Sequence, residues 1–382
     1  TAKNLTVDIQ SNEIAGTEAD EKFILGQTEF ALSLFKKELK DNENTLVSPY
    51  SVMQALSMTA NGADGATKAE MEDVLGMPIE NLNKYLYTQR TSQHSDENSR
   101  LSTANSIWTR SDVGVNQDFL QTNVDYYNAD FFTAPFNDTT LTDINNWVND
   151  KTDKMIPNAL DEISADAAMY LINAIAFDAK WEVEFNKDMT AEAEFTAVDN
   201  TKQKADMMNS KYESYYIEDE NAYGLYKYYK GRKYAFSAVM PKDENVSIND
   251  YIANLTAESL NNLLANPQNK KLAVSLPKFS YDFDTLLNDT LSSMGMPTAF
   301  DEKNADFSNM IDRNSYISRV IHKTHIDVDE AGTKAGAATI VEVKDNAVWA
   351  EEYISFDRPF FYCIIDTETN IPVFMGTLMS IP

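Results

Sequence analysis

The sequence is poor in the residues that enzymes most often use for metal binding and nucleophilic catalysis. Its 382 residues include one cysteine and three histidines, which are Cys363, His94, His322 and His325. One cysteine cannot form an intrachain disulfide, and Cys363 lies in an apolar run that predicts a buried, inert thiol. The chain also lacks a Gly-x-Ser-x-Gly elbow, a paired-histidine zinc motif and a glycine-rich phosphate loop. We therefore predict no metal, no cofactor and no enzymatic activity, while a Ser-His-Asp triad assembled only by the fold stays open.

Positive charge is also scarce. The chain has 32 lysines and arginines against 60 aspartates and glutamates, for a formal net charge of -28. Such a field repels nucleic acid and anionic lipid, and no apolar run is long enough to span a bilayer. The composition therefore predicts neither a nucleic-acid partner nor a membrane partner, and we interpret the acidity as a means of keeping an extracellular protein soluble.

Linkers and repeats are absent as well. No Pro/Gly/Ser-rich linker, low-complexity run or internal repeat divides the chain, which favours one folded domain. The first 21 residues are polar and acidic and lack a signal-peptide pattern, which favours a mature or trimmed form. We expect this N-terminal tail, residues 1–21, to be disordered or loosely docked.

Hydrophobic periodicity predicts the fold class. Amphipathic spacing and helix-start signals predict helices at 21–39, 48–60, 67–75, 141–156, 247–266 and 284–294. A near-continuous apolar run at 169–177 predicts a central strand that is buried on both faces. Further strands are predicted at 234–240, 272–275 and 316–329, and a final hairpin at 360–366 and 372–379. Helices early and strands late, without βαβ alternation, indicate an α+β fold.

The segment from residue 330 to residue 344 has a pattern that fits two conformations. From Thr333 onward, every second residue is small or β-branched and uncharged, whereas the alternate positions hold every charge. This period of two predicts a strand with one buried face, but the glycines and alanines of the segment have poor strand propensity. Two interpretations remain: a flexible linker before the final hairpin, or a segment that is loop in one state and strand in another.

Motifs along almost the whole chain resemble those of the serpin family. They lie at 44–51, 62–67, 103–108, 144–148, 171–181, 206–208, 276–279, 291–296, 321–323, 357–361 and 373–376. One such match would be weak, but this many in order and with family-like spacing are specific. The resemblance implies a single serpin domain at 22–382, after the tail of residues 1–21. It also implies a fold of three β-sheets, with a large central sheet A, surrounding helices and an exposed reactive loop at about 332–357.

The resemblance also assigns residues to four regions. The hinge of the reactive loop would be Glu330, Gly332, Thr333, Ala335, Ala337, Ala338 and Thr339. The shutter, a polar cluster beneath the centre of the large sheet, would be Ser48, Ser51, Asn173 and His322. The breach, where an inserted strand first enters the sheet, would include Trp181. The reactive bond would lie among Asn346, Ala347, Val348 and Trp349, because counts from the two ends of the loop disagree by about two residues.

A serpin of this kind is expected to be a suicide-substrate inhibitor of serine proteases. The alternative is a non-inhibitory serpin that a protease cleaves as a simple substrate. The uncharged inward set of the hinge favours inhibition, and the small side chains of Ala347 and Val348 favour an elastase-like target over a trypsin-like one. The region that matches the heparin-binding helix of some serpins, 80–100, holds only Lys84, Arg90 and Arg100 as fixed positive charges, so heparin is not expected. We further expect a monomer that is secreted or attached to the surface of a prokaryotic cell, specifically a bacterial one.

Overall fold

The computed structural model describes residues 1–93, 95–333 and 350–382. The helices in these ranges are α1 Glu21–Glu38, α2 Pro49–Ala60, α3 Gly65–Leu75, α4 Ile79–Thr91, α5 Gln117–Tyr127, α6 Asp138–Lys151, α7 Ile248–Asn254, α8 Ala257–Ala265 and α9 Asn288–Met294. The strands are β1 Lys3–Asn4, β2 Thr45–Val47, β3 Ser99–Arg110, β4 Asp130–Ala134, β5 Met169–Lys180, β6 Ala191–Thr196, β7 Lys202–Glu218, β8 Ala222–Tyr228, β9 Tyr234–Pro241, β10 Gln268–Pro277, β11 Phe279–Leu286, β12 Arg319–Val328, β13 Gly332–Thr333, β14 Glu352–Ser355, β15 Phe360–Asp366 and β16 Pro372–Leu378. Within the same ranges, no helix combines the length and the apolar character that crossing a membrane requires.

Side-chain caps explain where α1 and α8 begin. Two of the predicted helices differ from the structure. The Oδ1 atom of Asp20 accepts a hydrogen bond from the Phe23 amide at the start of α1. The helix predicted at 247–266 is instead two helices, because Thr256 and Ser259 form a capping box that starts α8. The helix predicted at 284–294 is also shorter than expected, since residues 284–286 belong to β11 and α9 begins at Asn288.

The N-terminal tail is ordered against the domain, so the expectation of a disordered or loosely docked segment was wrong. β1 pairs antiparallel with β4, and the amide of Leu5 donates to the carbonyl oxygen of Phe131 at 2.8 Å. Further along the tail, the Asn12 amide donates to the Asp125 carboxylate at 2.7 Å. The tail therefore adds the outermost strand of the large sheet.

Among the described residues, the large sheet has seven strands in the order β1-β4-β3-β5-β13-β12-β11, with an additional direct pairing of β5 with β12. Its central strand β5 is buried on both faces, as the apolar run predicted. One face of β5, with Tyr170 and Ile172, packs in a cluster with Ile144 and Val148 of α6. The other face packs toward α2 and the second group of strands. The sheet is therefore covered by α6 on one side and by α2 on the other.

The remaining strands form one continuous hydrogen-bonded network in the order β14-β10-β7-β8-β9-β15-β16-β2, with β6 also on β7. The resemblance predicted two smaller sheets beside the large one. In the structure these two parts are joined by the 17-residue strand β7, whose last residues pair with β8 while its earlier residues pair with β10 and β6. The two smaller sheets are thus continuous with each other through the end of one long strand.

Candidate functional site

The described part of the hinge begins as a strand inserted at one end of the large sheet. β13 pairs antiparallel with β5, where Thr333 lies opposite Ala179, and antiparallel with β12, where Thr333 lies opposite Val328. Further along, β5 and β12 pair directly and in parallel, from Tyr170 and Arg319 to Ile175 and Thr324. The two central strands therefore separate at the end where β13 enters and close together beyond it.

Gly332 fits into this gap because it has no side chain. A Cβ atom at residue 332 would lie 2.0 Å from the carbonyl oxygen of Ala179 and 2.8 Å from the Cα atom of Lys180. Both contacts are with the backbone of β5, which cannot rotate away as a side chain can. Close approach of the hinge to the sheet therefore requires glycine at this position.

Thr333 lies on the buried side of the hinge, as the alternating pattern predicted for the first residue of the inward set. Its side chain is 1% exposed, and its Oγ1 atom is 2.6 Å from the hydroxyl oxygen of Tyr229. Tyr229 stacks on Trp181, with ring centroids 4.5 Å apart. The indole Nε1 atom of Trp181 donates to the carbonyl oxygen of Asp329, and its backbone amide donates to the carbonyl oxygen of Ala331. The breach residue Trp181 thus holds the start of the hinge through two hydrogen bonds.

Glu330 anchors the residue before the gap. Its carboxylate is 4% exposed, forms an ion pair with Lys278 at 2.9 Å and accepts a hydrogen bond from Thr190 at 2.7 Å. Burial raises the pKa of this carboxyl group, but the hydrogen bonds from Lys278 and Thr190 outweigh burial and leave the pKa below its ordinary value. The carboxylate therefore stays ionised. Through Lys278, which lies between β10 and β11, it links the hinge to both strands.

The rest of the predicted loop is only partly described. Ala335, Ala337, Ala338 and Thr339 of the hinge, and Asn346, Ala347, Val348 and Trp349 of the reactive bond region, lie outside the described residues. Strand structure occurs within both described parts of the range 332–357. β13 is one end, and at the other end β14 pairs in parallel with β10. The prediction of loop for the whole range was therefore too long at each end.

The shutter residues form one buried hydrogen-bond network. Ser48, Ser51, Asn173 and His322 are all 0% exposed. The Ser48 hydroxyl caps α2 by accepting from the Ser51 amide at 3.2 Å and donates to the carbonyl oxygen of Val373 at 2.7 Å. The side-chain amide of Asn173 donates to the carbonyl oxygen of Ser51 at 3.0 Å. The four residues, which are separated by up to 274 positions in sequence, therefore join α2 to the two central strands of the large sheet.

The network determines the protonation state of His322. The Ser48 amide donates to the Nε2 atom of His322 at 3.0 Å, so this nitrogen is the acceptor and the proton lies on Nδ1. The Nδ1 atom then donates to the side-chain oxygen of Asn173, which is the register partner of His322 across the β5–β12 seam. Complete burial lowers the pKa of His322 from 6.5 to about 3. The imidazole is therefore neutral at physiological pH, and a second proton would break the bond to Ser48.

A buried ion pair near the breach was missed from the sequence. The Nζ atom of Lys227 lies 2.7 Å from a carboxylate oxygen of Glu213, with the two side chains 3% and 6% exposed. The same Nζ atom lies 4.7 Å from the ring centroid of Phe185 and 5.5 Å from that of Trp181. Pairing of β7 with β8 as a hairpin brings residues 213 and 227 near each other. In the sequence, this ion pair could have been found only by first predicting the hairpin of β7 and β8.

Comparison with known proteins identifies the family. The family model described as "Serpin (serine protease inhibitor)" matches residues 25–381. An uncharacterized serpin-like protein of Methanosarcina acetivorans is 32% identical over 368 residues, which cover 91% of this chain and 85% of that protein. The structure of a thermophilic serpin, tengpin, in the native state covers 100% of both chains with 46% sequence identity and a TM-score of 0.95. Tengpin in the latent state covers 98% of this chain and 100% of its own, with the same identity and a TM-score of 0.84. These matches confirm the resemblance and the fold expected from it: the chain belongs to the serpin family.

Proposed function

We propose that this protein is a suicide-substrate inhibitor of serine proteases that traps the acyl-enzyme by inserting its cleaved reactive loop into the large sheet. The observation that carries this proposal is the position of β13. Gly332 and Thr333 already pair with β5 on one side and with β12 on the other. The hinge therefore stands at the open end of a slot into which a longer strand could continue in the same register.

Insertion would replace one ladder of backbone hydrogen bonds, between β5 and β12, by two ladders. The direct pairing of β5 with β12, from Tyr170 to Ile175 on β5, would be replaced by pairing of each strand with the new one. Each additional backbone hydrogen bond contributes roughly 0.5–1.5 kcal/mol net, and the inward side chains would add burial of apolar area. A full strand would therefore release on the order of ten kcal/mol, the source of the work that distorts the bound protease.

Such a mechanism needs a barrier that keeps the intact protein from inserting its loop early. The shutter lies across the seam that has to open, because Asn173 and His322 face each other on β5 and β12. Separation of the strands would break the side-chain bond between them and remove the Ser48 amide from its acceptor. Buried polar groups left without partners cost about 1–3 kcal/mol each. This network therefore supports a kinetically trapped native state.

The narrower proposal concerns the target. The two counts of the loop place the reactive bond near Asn346 and near Val348, with Ala347 between them, and a shallow apolar specificity pocket accepts alanine or valine. We accordingly propose an elastase-like serine protease as the target. We further propose that the protein is a secreted or surface-attached monomer of a prokaryote, specifically of a bacterium. It works without heparin, nucleic acid, membrane or a cofactor.

Incubation with pancreatic elastase, followed by denaturing electrophoresis, tests the proposal. An inhibitor yields a covalent complex that resists denaturation, together with a short C-terminal fragment whose mass identifies the cleaved bond. A non-inhibitory serpin yields the same fragment without the complex. Parallel incubation with trypsin tests the specificity: rapid complex formation with trypsin and cleavage at Lys344, without any reaction with elastase, would overturn the elastase-like assignment and leave inhibition standing.

A further inference from the structure

A small polar cavity lies where α2, α4 and α6 meet β3 of the large sheet. Its volume is about 30 Å³, which leaves room for about two water-sized groups. Two residues one turn apart on α2, Tyr50 and Gln54, contribute one wall. Thr103 and Asn105, two residues apart and therefore on the same face of β3, contribute another. Arg90 of α4 closes a third side.

Gln54 carries a hydrogen-bond donor without a protein partner. Its side chain is 3% exposed, and its Nε2 atom finds no acceptor among the described residues. Buried side-chain amides are nearly always hydrogen-bonded, to protein or to a bound species. An unpaired buried amide that lines a cavity therefore indicates an occupant that accepts a hydrogen bond.

Arg90 places a half-buried guanidinium at the cavity. Its Nε atom donates to the carbonyl oxygen of Tyr126 at 3.1 Å, but no ion pair of the described chain includes this guanidinium. The phenols of Tyr50, Tyr87 and Tyr127 favour its charged form, and the guanidinium carbon lies 5.7 Å from the ring centroid of Tyr87. Burial lowers the pKa of Arg90, because removal from water disfavours its charged form. A guanidinium has donors only, so its partner in the cavity is a hydrogen-bond acceptor, and negative charge on that acceptor strengthens the bond.

The one carboxylate that lines the cavity already has its partners. Asp130 forms an ion pair with Lys151 at 3.0 Å and accepts a hydrogen bond from the indole of Trp147 at 2.8 Å. The side-chain amide of Asn4 donates to its other oxygen at 3.1 Å. The charges of Asp130 and Lys151 cancel, and the cavity keeps the positive charge of Arg90 within a chain whose net charge is -28.

We propose that this cavity binds a small monovalent anion of the size of chloride, held between the guanidinium of Arg90 and the side-chain amide of Gln54. Tyr50 lines the same wall, and its hydroxyl group would supply a third donor. Sulfate and phosphate are too large for a space of about two water-sized groups. The site therefore selects by size as well as by charge.

The cavity adjoins the shutter, which gives the anion a consequence for the proposed function. Asn105 lines the cavity, and its side-chain oxygen accepts a hydrogen bond from the side-chain amide of Asn173. An anion that bridges α2 and α4 beside β3 stabilises the closed arrangement of the sheet. On the proposed inhibitory mechanism, it slows insertion of the loop in the intact protein. The binding site itself does not depend on that mechanism.

Thermal unfolding of the full chain tests the site in solution. The midpoint is measured in sodium chloride and in sodium gluconate at equal ionic strength, since gluconate is too large to enter. We expect a higher midpoint in chloride that rises with the logarithm of chloride concentration. Arg90→Gln should abolish this difference, whereas Arg313→Gln, which removes an exposed guanidinium paired with Asp112, should preserve it. An equal difference in wild type and Arg90→Gln, or none in wild type, overturns the proposal.

A second variant and a direct measurement cover the case in which Arg90→Gln does not fold. Gln54→Met keeps the approximate shape of the side chain and removes its amide, the Nε2 donor together with the Oε1 acceptor, and it should reduce the chloride-dependent shift. Anomalous diffraction from wild-type crystals grown in sodium bromide should place a bromide peak between Arg90 and Gln54. Ordered water without anomalous signal at that place refutes the anion site. Neither measurement involves a protease, so failure of the inhibitory function would leave both outcomes unchanged.

Discussion

Acidification from pH 7 to pH 5 should destabilise the native protein through one residue, His322. The imidazole is fully buried with a pKa of about 3, against 6.5 for the exposed side chain of the unfolded chain. A histidine whose pKa is lower in the folded state stays neutral there while the unfolded chain takes up a proton. The unfolded state therefore binds more protons in this range, and stability falls as the pH falls. The contribution of His322 is complete above pH 6.5 and is lost progressively as the pH falls toward 3.

The magnitude follows from the two pKa values. Over the whole window, a difference between 6.5 and about 3 corresponds to at most about 5 kcal/mol. Between pH 7 and pH 5 the unfolded histidine changes from mostly neutral to almost fully protonated, while the folded one stays neutral. Integration over this interval gives ~2 kcal/mol, a large part of the stability of an ordinary domain. Most carboxylates remain ionised above pH 5, so this interval isolates the histidine from acid titration of aspartate and glutamate.

The assay is the midpoint of the first urea transition, followed by tryptophan fluorescence at half-unit steps of pH. His322→Asn keeps a side-chain hydrogen-bonding group and removes the titration, and it should flatten the pH dependence between pH 7 and pH 5. His325→Asn is the matched control, because His325 lies three residues further along β12 with a partly exposed side chain that pairs with Asp282. This control should keep the pH dependence of the wild type.

A second measurement addresses the case in which His322→Asn does not fold. The ¹⁵N chemical shifts of the imidazole in the folded wild type should keep the pattern of a neutral ring with the proton on Nδ1 down to pH 4, the state that the bond from Ser48 to Nε2 requires. Titration of His322 near pH 6.5 in the folded protein would refute the reasoning. So would a wild-type pH dependence that survives unchanged in His322→Asn.

Three substitutions near the breach test the described hinge and its surroundings. Thr333→Arg should convert the inhibitor into a substrate, because residue 333 already lies buried between β5 and β12, where an arginine would place an unpaired guanidinium and hold the hinge out of the sheet. Undiminished covalent complex on denaturing electrophoresis would contradict the register. Gly332→Val should displace the hinge from the gap, since its Cβ atom would lie 2.0 Å from a carbonyl oxygen of β5. We expect faster proteolysis of the intact loop in this variant. An unchanged cleavage rate would argue against the close approach. Lys227→Met should lower the free energy of unfolding by about 3–5 kcal/mol in urea, because it leaves the Glu213 carboxylate buried and unpaired. The control Lys204→Met breaks an exposed ion pair and should lower the free energy of unfolding by about 0–1 kcal/mol. Equal losses in the two lysine variants would show that burial of the Lys227–Glu213 pair does not change its contribution to stability.

The sequence by itself was sufficient for features that depend on neighbours within a few residues. The apolar run at 169–177 predicted β5, because a strand covered on both faces needs apolar side chains at successive positions. The alternation that starts at Thr333 predicted that this residue faces inward, and Thr333 is buried, while the later positions of the alternation stay a prediction. Family motifs spaced along the chain supplied the fold and placed His322 and Asn173 in one cluster.

Only the tertiary structure decided the features that join distant segments. The Lys227–Glu213 pair lies in the interior because two strands of a hairpin face each other there, whereas each residue alone resembles an ordinary surface charge. The charge of Arg90 on α4 became informative only when the fold placed it beside the unpaired amide of Gln54, away from any free carboxylate. The neutral state of His322 likewise depends on Ser48, which is 274 residues away. Burial and electrostatics act between groups that are close in space, and local periodicity carries no information about which distant groups those are.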